Sequence, residues 1–247
     1  MLLHWTFVLL IPALILAIWA QYKVRSAYSK WSQVRASCGM TGAEVALDMV
    51  RRSDLLSGVA VAGPAQAAEA ARALSAVNVH MVPGTLTDHY DPSRKVLNLS
   101  EEVYAGESIA ALGVAAHETG HAIQDATRFS ALVLRSTLAP AAQIGTMVAF
   151  PLFIVGFIIG RSGSTFLMDL AILLYTAAVA FTLVTLPVEL DASRRALRML
   201  RDGGYVTAEE EKGTRAVLTA AALTYVAAAA MAVMTLVRLL IMRGERD

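Results

Sequence analysis

Four long stretches that are almost free of charged residues divide this chain of 247 residues. A helix of about 20 mainly apolar residues can cross a bilayer core, because it pairs its own backbone polar groups. With 56% hydrophobic and only 17% charged residues, the chain is predicted to be an integral membrane protein. The predicted transmembrane helices are residues 1–22, 136–160, 166–188 and 216–237, of which the last either crosses fully or is re-entrant.

The segments between these helices differ in their content of Lys and Arg. Residues 21–139 contain eleven and residues 189–215 contain six of the 21 Lys and Arg residues of the chain. Basic loops are retained in the cytoplasm, so both segments are predicted to face it. The arginines after residue 237 fit this arrangement less well, which keeps the re-entrant alternative open. The net charge of +1 and the lack of a basic stripe argue against nucleic acid as a partner.

The sequence His117-Glu-Thr-Gly-His121 has the spacing of a metal site on a helix. Residues 107–126 are rich in alanine and contain no proline, which predicts a helix there. Side chains at i and i+4 project from the same face, so the two imidazoles can bind one cation. Glu118 lies one residue further round the helix, where it can act as a general base on water. The alternative is a pair of hydrogen-bonded histidines on a packed helix.

A third ligand must come from elsewhere in the chain, because a hydrolytic zinc site normally has three protein ligands and one water. No histidine follows His121, and the position of a metzincin third histidine is Thr127. Cys38 is the only cysteine, so no thiolate cluster can form. A carboxylate is therefore expected, and the candidates are Asp125, Asp169, Glu189, Asp191, Asp202 and the run from Glu209 to Glu211.

The predicted topology narrows this choice. Two membrane crossings separate the motif from Glu189 and Asp191, so these two acids return to the face that carries the motif. Asp169 would emerge on the opposite face. The alternative is that Glu189 and Asp191 stabilise the first turn of a helix and pair with Arg194 or Arg195.

Polar residues in the segment before the motif are further candidates. Residues 77–82 and 94–99 are predicted to be short strands of a small sheet. Between them, His89 and Tyr90 are hypothesised to stabilise an oxyanion near the metal, with hydrogen bonding inside a turn as the alternative. Asp125 follows the motif by one turn and either accepts an N–H from a histidine or is an exposed acid at a helix end.

Five blocks of the sequence resemble the neutral zinc metallopeptidases of the bacterial YugP type, which are distant relatives of the HtpX membrane peptidases. The resemblance covers most of the chain. The blocks are Met40-Thr-Gly-Ala-Glu-Val-Ala46, Leu86-Thr-Asp-His-Tyr-Asp-Pro92, Ser108 to Gln124, Leu186 to Ala196, and Ala220-Ala-Ala-Leu-Thr-Tyr-Val-Ala-Ala228.

The resemblance implies a zincin-like domain over residues 23–135 that faces the cytoplasm. One catalytic Zn²⁺ would be bound by His117, His121 and Glu189, with Glu118 as the general base. A cytoplasmic helix over residues 189–215 would carry the third ligand.

This chain departs from the better-known relatives at one position near the third ligand. Those relatives have an aspartate four residues after the ligand glutamate, and here that position is Ser193. Asp191 is the candidate for the same supporting contact, or no such contact is needed.

The fold class expected from all of this is a mainly α integral membrane protein with about four transmembrane helices and a small α+β zincin-like domain. The expected function is that of a gluzincin-like zinc metalloendopeptidase in the inner membrane of a bacterium. Its substrates would be proteins or peptides, membrane proteins among them, cut near the cytoplasmic face of the bilayer. The alternative is a zinc-containing scaffold or adaptor without catalysis, which is disfavoured because structural zinc usually has four protein ligands.

Overall fold

A computed structural model describes residues 5–52, 63–159 and 165–245 of the chain. The first four residues of the first predicted span and the link at 160–164 lie outside this described part. A 3₁₀ turn at Trp5–Leu10 precedes the first helix. The helices are α1 (Ile11–Trp31), α2 (Gly42–Arg51), α3 (Pro64–Ser75), α4 (Glu101–Tyr104), α5 (Ile109–Ala126), α6 (Ser130–Ile159), α7 (Phe166–Asp202) and α8 (Ala208–Gly244), and the strands are β1 (Asn78–Val82), β2 (His89–Asp91) and β3 (Val96–Ser100).

The chain divides into two compact units. The first, here called the apolar unit, consists of Met1–Gln21, Ala131–Val188 and Leu223–Asp247. The second, here called the mixed unit, consists of Tyr22–Ser130 and Glu189–Ala222. The mixed unit contains all three strands and the His117-Glu-Thr-Gly-His121 motif.

Within the described residues, four helical segments are long and apolar enough to cross a membrane. They are Trp5–Trp31, Ser130–Ile159, Phe166–Asp202 and Ala208–Gly244. The last of these includes the segment that the sequence left as a full crossing or a re-entrant segment, and it is a single unbroken helix. The predicted fold class, a mainly α membrane protein with four spans and a small sheet, is confirmed.

Small residues allow close packing inside the apolar unit. A side chain at Gly145 would collide with the carbonyl oxygen of Leu174. A Cβ at Gly156 would lie 2.9 Å from the backbone nitrogen of Met168. Phe153 and Met168 belong to a buried cluster of this unit, and the outer surface is apolar. Such a surface is the expected one where the solvent is lipid.

Helix α7 is longer than the sequence predicted. The sequence predicted a span at 166–188 and a separate helix at 189–215. In the structure, α7 is continuous through Pro187 and ends at Asp202. The interruption comes at Gly204, which has a left-handed φ of 73°. The Tyr205 N–H donates to the carbonyl oxygen of Leu200 at 3.0 Å, the bond that closes a Schellman motif. Glycine can adopt this conformation without strain, so the helix ends there and not at the proline.

A three-stranded sheet lies in the mixed unit. The strand order is β1-β3-β2, with β1 parallel and β2 antiparallel to the central strand β3. Leu97 and Leu99 of β3 are fully buried. The strands predicted at 77–82 and 94–99 are confirmed with ends shifted by one or two residues. β2 occupies the part of the chain for which a turn was the alternative.

Helix α5 is the central helix of the mixed unit. Ser108 caps its N-terminus, since the serine side chain accepts a hydrogen bond from the Ala111 N–H at 3.1 Å. Leu112 and Ile123 of this helix are fully buried in the core of the unit. α5 packs against α2 and α3, so the helix that carries the motif is held from several sides.

Candidate metal centre

Two helices bring three metal-binding side chains together in the mixed unit. α5 presents His117 and His121 from one face, and Glu189 comes from α7. The helices meet at Gly120, where an added Cβ would lie only 2.7 Å from the carbonyl oxygen of Ala192. A residue without a side chain at this position therefore permits the approach that places Glu189 beside the two imidazoles.

The three side chains converge on a small volume. The Nε2 atom of His117 is 3.3 Å and that of His121 is 3.5 Å from the same Oε2 atom of Glu189. The two imidazole rings are nearly perpendicular, with centroids 4.8 Å apart. The Glu189 side chain is only 4% exposed and each imidazole is 13% exposed. The site is therefore largely shielded from water but is not closed.

This donor set fits a zinc ion. Ligand atoms about 2.1 Å from a tetrahedral ion are about 3.4 Å apart, which agrees with the two distances to Glu189. Two imidazole nitrogens and one carboxylate oxygen leave a fourth position available for water, as in hydrolytic sites. The set is the one that the family resemblance implied, with Glu189 and not Asp191 beside the two imidazoles.

The electrostatic environment of the centre favours positive charge. Burial lowers the pKa of His121, but the hydrogen bond to Glu189 and the charges of Glu118 and Glu189 outweigh this, so the pKa is raised overall. Glu118 is itself buried. Two carboxylates in a partly desolvated pocket stabilise a cation, whether it is a proton on an imidazole or a metal ion.

Comparison with known proteins agrees with this chemistry. Residues 6–244 match the model of a family described as "Putative neutral zinc metallopeptidase". The chain belongs to this family. It is also 45% identical over 240 residues, 97% of each chain, to the "Putative membrane protease YugP" of Bacillus subtilis (strain 168). No solved structure matches the chain. Membership of this family implies zinc, and His117, His121 and Glu189 form a group that could hold a metal ion.

In this family member, hydrogen bonds hold the outer nitrogen of each imidazole. The Nδ1 atom of His117 lies 3.2 Å from the hydroxyl oxygen of Ser193. The Nδ1 atom of His121 lies 2.9 Å from the side-chain oxygen of Gln124. The position that carries an aspartate in better-known relatives is thus Ser193, and its hydroxyl contacts a histidine directly. Both imidazoles are oriented with Nε2 towards Glu189.

Asp191 supports the site indirectly. The side-chain amide of Gln124 donates to an oxygen of Asp191 at 2.8 Å, and Arg195 donates to the same oxygen. The pairing of Asp191 with Arg195 is one that the sequence analysis named as an alternative. Glu189, in contrast, faces the two histidines.

Asp125 contacts the sheet. It accepts a hydrogen bond from the Tyr90 hydroxyl at 2.7 Å and pairs with Lys95 at 2.5 Å. The partners found for the outer imidazole nitrogens are Ser193 and Gln124, so the predicted contact of Asp125 with a histidine is not among them. Burial and Asp125 together raise the pKa of Tyr90, which keeps its hydroxyl protonated.

His89 lies on β2, and each of its two ring nitrogens contacts a nearby residue of the same chain. Nδ1 is 2.8 Å from the carbonyl oxygen of Thr87, and Nε2 is 3.1 Å from the Asn98 side-chain nitrogen. These local contacts fit the alternative, hydrogen bonding to nearby residues, better than a role at the metal. A catalytic role for His89 and Tyr90 stays a prediction.

Two partners of the imidazoles were not selected as such from the sequence. They are Gln124 and Ser193. Gln124 follows His121 by three positions on the same helix, and Ser193 follows Glu189 by four, so helical spacing places each near the centre. That spacing was the available signal. It does not by itself indicate which helical neighbours turn towards a metal.

Proposed function

We propose that this protein is a gluzincin-like zinc endopeptidase of the bacterial inner membrane. The observation that carries the proposal is the convergence of the donor atoms of His117, His121 and Glu189 within 4.8 Å of one another, next to Glu118 in sequence. A structural zinc site gains nothing from an adjacent buried carboxylate, whereas a hydrolytic site needs a base.

His117, His121 and Glu189 would hold the metal. A zinc ion in this set supplies Lewis acidity, which makes water a stronger acid and polarises the carbonyl of the scissile peptide. The three residues come from two helices packed at Gly120, so their relative positions are maintained by the core of the mixed unit. Such preorganisation reduces the rearrangement that the reaction requires.

Glu118 would transfer the proton. Its carboxylate takes a proton from the attacking water as the water oxygen bonds to the carbonyl carbon. It then gives this proton to the amide nitrogen as the carbon–nitrogen bond breaks, which yields one carboxyl and one amino product. No covalent bond to the protein forms. The buried position of Glu118 retains the proton in the site between the two steps.

We place this chemistry near the cytoplasmic face of the membrane. Glu189 directly follows the span-length apolar part of α7, and most Lys and Arg residues lie in the two segments that form the mixed unit. The substrates would be protein or peptide segments at that surface, including exposed segments of membrane proteins. The lipid bilayer is the other expected partner.

Zinc content and proteolysis of an unfolded protein substrate, measured together, test the function. Glu118→Gln should retain about one zinc per chain while kcat falls by about 10²- to 10⁴-fold, because the base is lost but the ligands remain. Glu209→Gln changes a glutamate whose side chain is 82% exposed, so it is the control and should leave both quantities unchanged. If wild type binds zinc and cleaves none of a varied set of substrates, the scaffold function replaces this proposal.

The single cysteine offers a test of the orientation. Cys38 lies in the mixed unit and is partly exposed. A membrane-impermeant maleimide should label it in inverted vesicles but not in intact spheroplasts. In a Cys38→Ser background, Glu245→Cys should show the opposite pattern, because Glu245 follows the end of α8. Labelling of Cys38 in intact spheroplasts would contradict a cytoplasmic site.

A further inference from the structure

A chain of hydrogen bonds leads from one imidazole of the candidate metal centre into the protein. The Nδ1 atom of His121 meets the side-chain oxygen of Gln124 at 2.9 Å, and the Gln124 side-chain nitrogen meets Asp191 at 2.8 Å. Arg195 donates to the same oxygen of Asp191 from one turn further along α7. Gln124 is completely buried. These three residues are here called the relay.

The chemistry of the relay determines which way the Gln124 amide points. An ionised carboxylate only accepts hydrogen bonds, and Asp191 accepts one from the Arg195 guanidinium. The NH₂ group of Gln124 must therefore face Asp191, and its carbonyl oxygen must face His121. A buried amide turned the other way would place two acceptors against each other and leave donors unpaired.

The orientation of Gln124 in turn selects one tautomer of His121. A carbonyl oxygen accepts a hydrogen bond, so the Nδ1 atom of His121 must carry a proton. In the neutral imidazole the other nitrogen, Nε2, then has a free lone pair. That atom lies 3.5 Å from Glu189, on the side where the donor atoms converge. The relay thus prepares His121 as a metal ligand.

His117 is held differently. Its Nδ1 atom lies 3.2 Å from the hydroxyl of Ser193, and a hydroxyl can either donate or accept. Ser193 therefore orients the ring without selecting a tautomer. The two residues of the motif are both histidines, but their partners differ. Only for His121 is the orientation of the partner, Gln124, determined by an ion pair, that of Asp191 with Arg195.

We propose that Gln124, oriented by Asp191 and Arg195, is a positioning residue that holds His121 in the Nδ1–H tautomer and thereby raises the affinity of the site for zinc. The inference rests on the proposed zinc site. The inference goes beyond that site because it assigns a role to three residues outside the donor set. The affinity itself, measured without reference to catalysis, is the quantity that the relay controls.

Zinc affinity, measured by competition with a chelator on the purified full-length protein, tests the relay. Gln124→Met removes both hydrogen bonds at similar volume. Asp191→Ala removes the oxygen that accepts from both Gln124 and Arg195, so the Gln124 amide loses the contact that orients it. Each variant should weaken zinc binding by about 10- to 100-fold, the usual cost of losing such a partner.

A double variant separates the relay from packing. Gln124→Glu alone sets two carboxylates against each other and should also weaken binding. Combined with Asp191→Ala, the new carboxylate has no second carboxylate opposite it, and either of its oxygens can accept a hydrogen bond from His121. We expect the double variant to recover most of the wild-type affinity. Gln33→Met, a change of an exposed glutamine, is the control.

Several outcomes would overturn the proposal. Single variants that bind zinc as wild type does would show that the relay is not needed, and a double variant no better than its parents would show that the residues act by packing. ¹⁵N NMR of the metal-free protein, with His121 assigned by substitution, shows which ring nitrogens carry a proton, and Nδ1 should be protonated in wild type. The opposite tautomer in wild type would also overturn the proposal.

The same measurements distinguish this proposal from the proposed function. Wild type that binds zinc in a relay-dependent way but cleaves nothing would leave the relay standing and remove the peptidase. Wild type that binds no zinc would remove both the zinc site and the control of its affinity.

Discussion

The apolar unit and the mixed unit share the helix α7 but are stabilised in different ways. In the apolar unit, long helices pack through small residues such as Gly145 and Gly156 and expose apolar side chains outwards. In the mixed unit, short elements surround a buried core, and charged and polar groups are paired within it. The same helix therefore meets lipid in one part and a polar, protein-lined site in the other.

The difference shows where chemistry can be located in such a chain. Polar groups in the lipid region cost free energy unless they are paired. The helices there therefore consist mainly of apolar residues and have few reactive side chains. The mixed unit buries Glu118, Glu189 and Gln124, and the last two have polar partners there. The candidate metal centre accordingly lies in the mixed unit.

The largest difference in zinc binding is expected between substitutions of two acidic residues of α7. Glu189→Ala should remove a metal ligand and abolish zinc binding and proteolysis, beyond the roughly 10- to 100-fold effect of losing an outer partner. Asp169→Ala, in the apolar unit, removes the pairing with Arg243 at 2.8 Å and a hydrogen bond from the Thr165 hydroxyl, and neither contact involves the metal-binding group. The ion pair is partly exposed and should contribute about 1 kcal/mol. Metal analysis of both purified variants decides this, and equal zinc contents would remove Glu189 from the site.

Core truncation should distinguish the two units by the free energy of unfolding. Leu112→Ala creates a cavity at a fully buried residue of α5 and should cost about 2–5 kcal/mol. Leu173→Ala changes a residue that is 67% exposed on α7 and should cost well below that. Thermal unfolding of both purified variants, followed by circular dichroism, measures the two midpoints. Similar midpoints for the two variants would contradict the described difference in burial.

Glycine contacts occur in both units but should have different consequences. Gly120→Ala should cost about 1–3 kcal/mol and also lower zinc affinity, because the new methyl group pushes α5 away from Ala192 and the ligand Glu189. Gly145→Ala should destabilise the packing of the apolar unit to a similar extent and leave zinc affinity unchanged. Thermal unfolding and chelator competition on both variants measure the two effects. A loss of zinc affinity in Gly145→Ala alone would reverse this expectation.

The smallest effect concerns the pH dependence of the mixed unit. Hydrogen bonds from the Thr41 backbone and hydroxyl lower the pKa of Glu44 in the capping box of α2. The stabilisation is thus complete above the usual glutamate pKa of about 4.3 and is lost as the pH falls through the lowered folded-state value. Glu44→Gln keeps the capping geometry, so its stability should change less between pH 5 and pH 3 than that of wild type. An unchanged slope would remove Glu44 from the acid response.

The sequence predicted helices and strands more completely than side-chain contacts between them. The helix with the motif was predicted at 107–126 and lies at Ile109–Ala126, and β1 and β3 were placed within two residues. The prediction for α7 was less complete, because a span was ended at residue 188 and a separate helix was placed at 189–215, whereas one helix continues to Asp202. Side-chain partners across elements, such as Tyr90 with Asp125, were not predicted as found. They depend on how α5 packs on the sheet.

The sequence by itself determined the apolar spans and the shared helical face of His117 and His121. Both follow from short-range properties, namely the cost of transferring residues into lipid and the period of the α-helix. The family resemblance implied Glu189, 72 positions from His117, as the third ligand, but only the tertiary structure showed its carboxylate beside the two imidazoles and Gln124 and Ser193 at their outer nitrogens. Such contacts arise from the packing of two distant helices at Gly120, and a close approach of this kind has no signature in either helix alone.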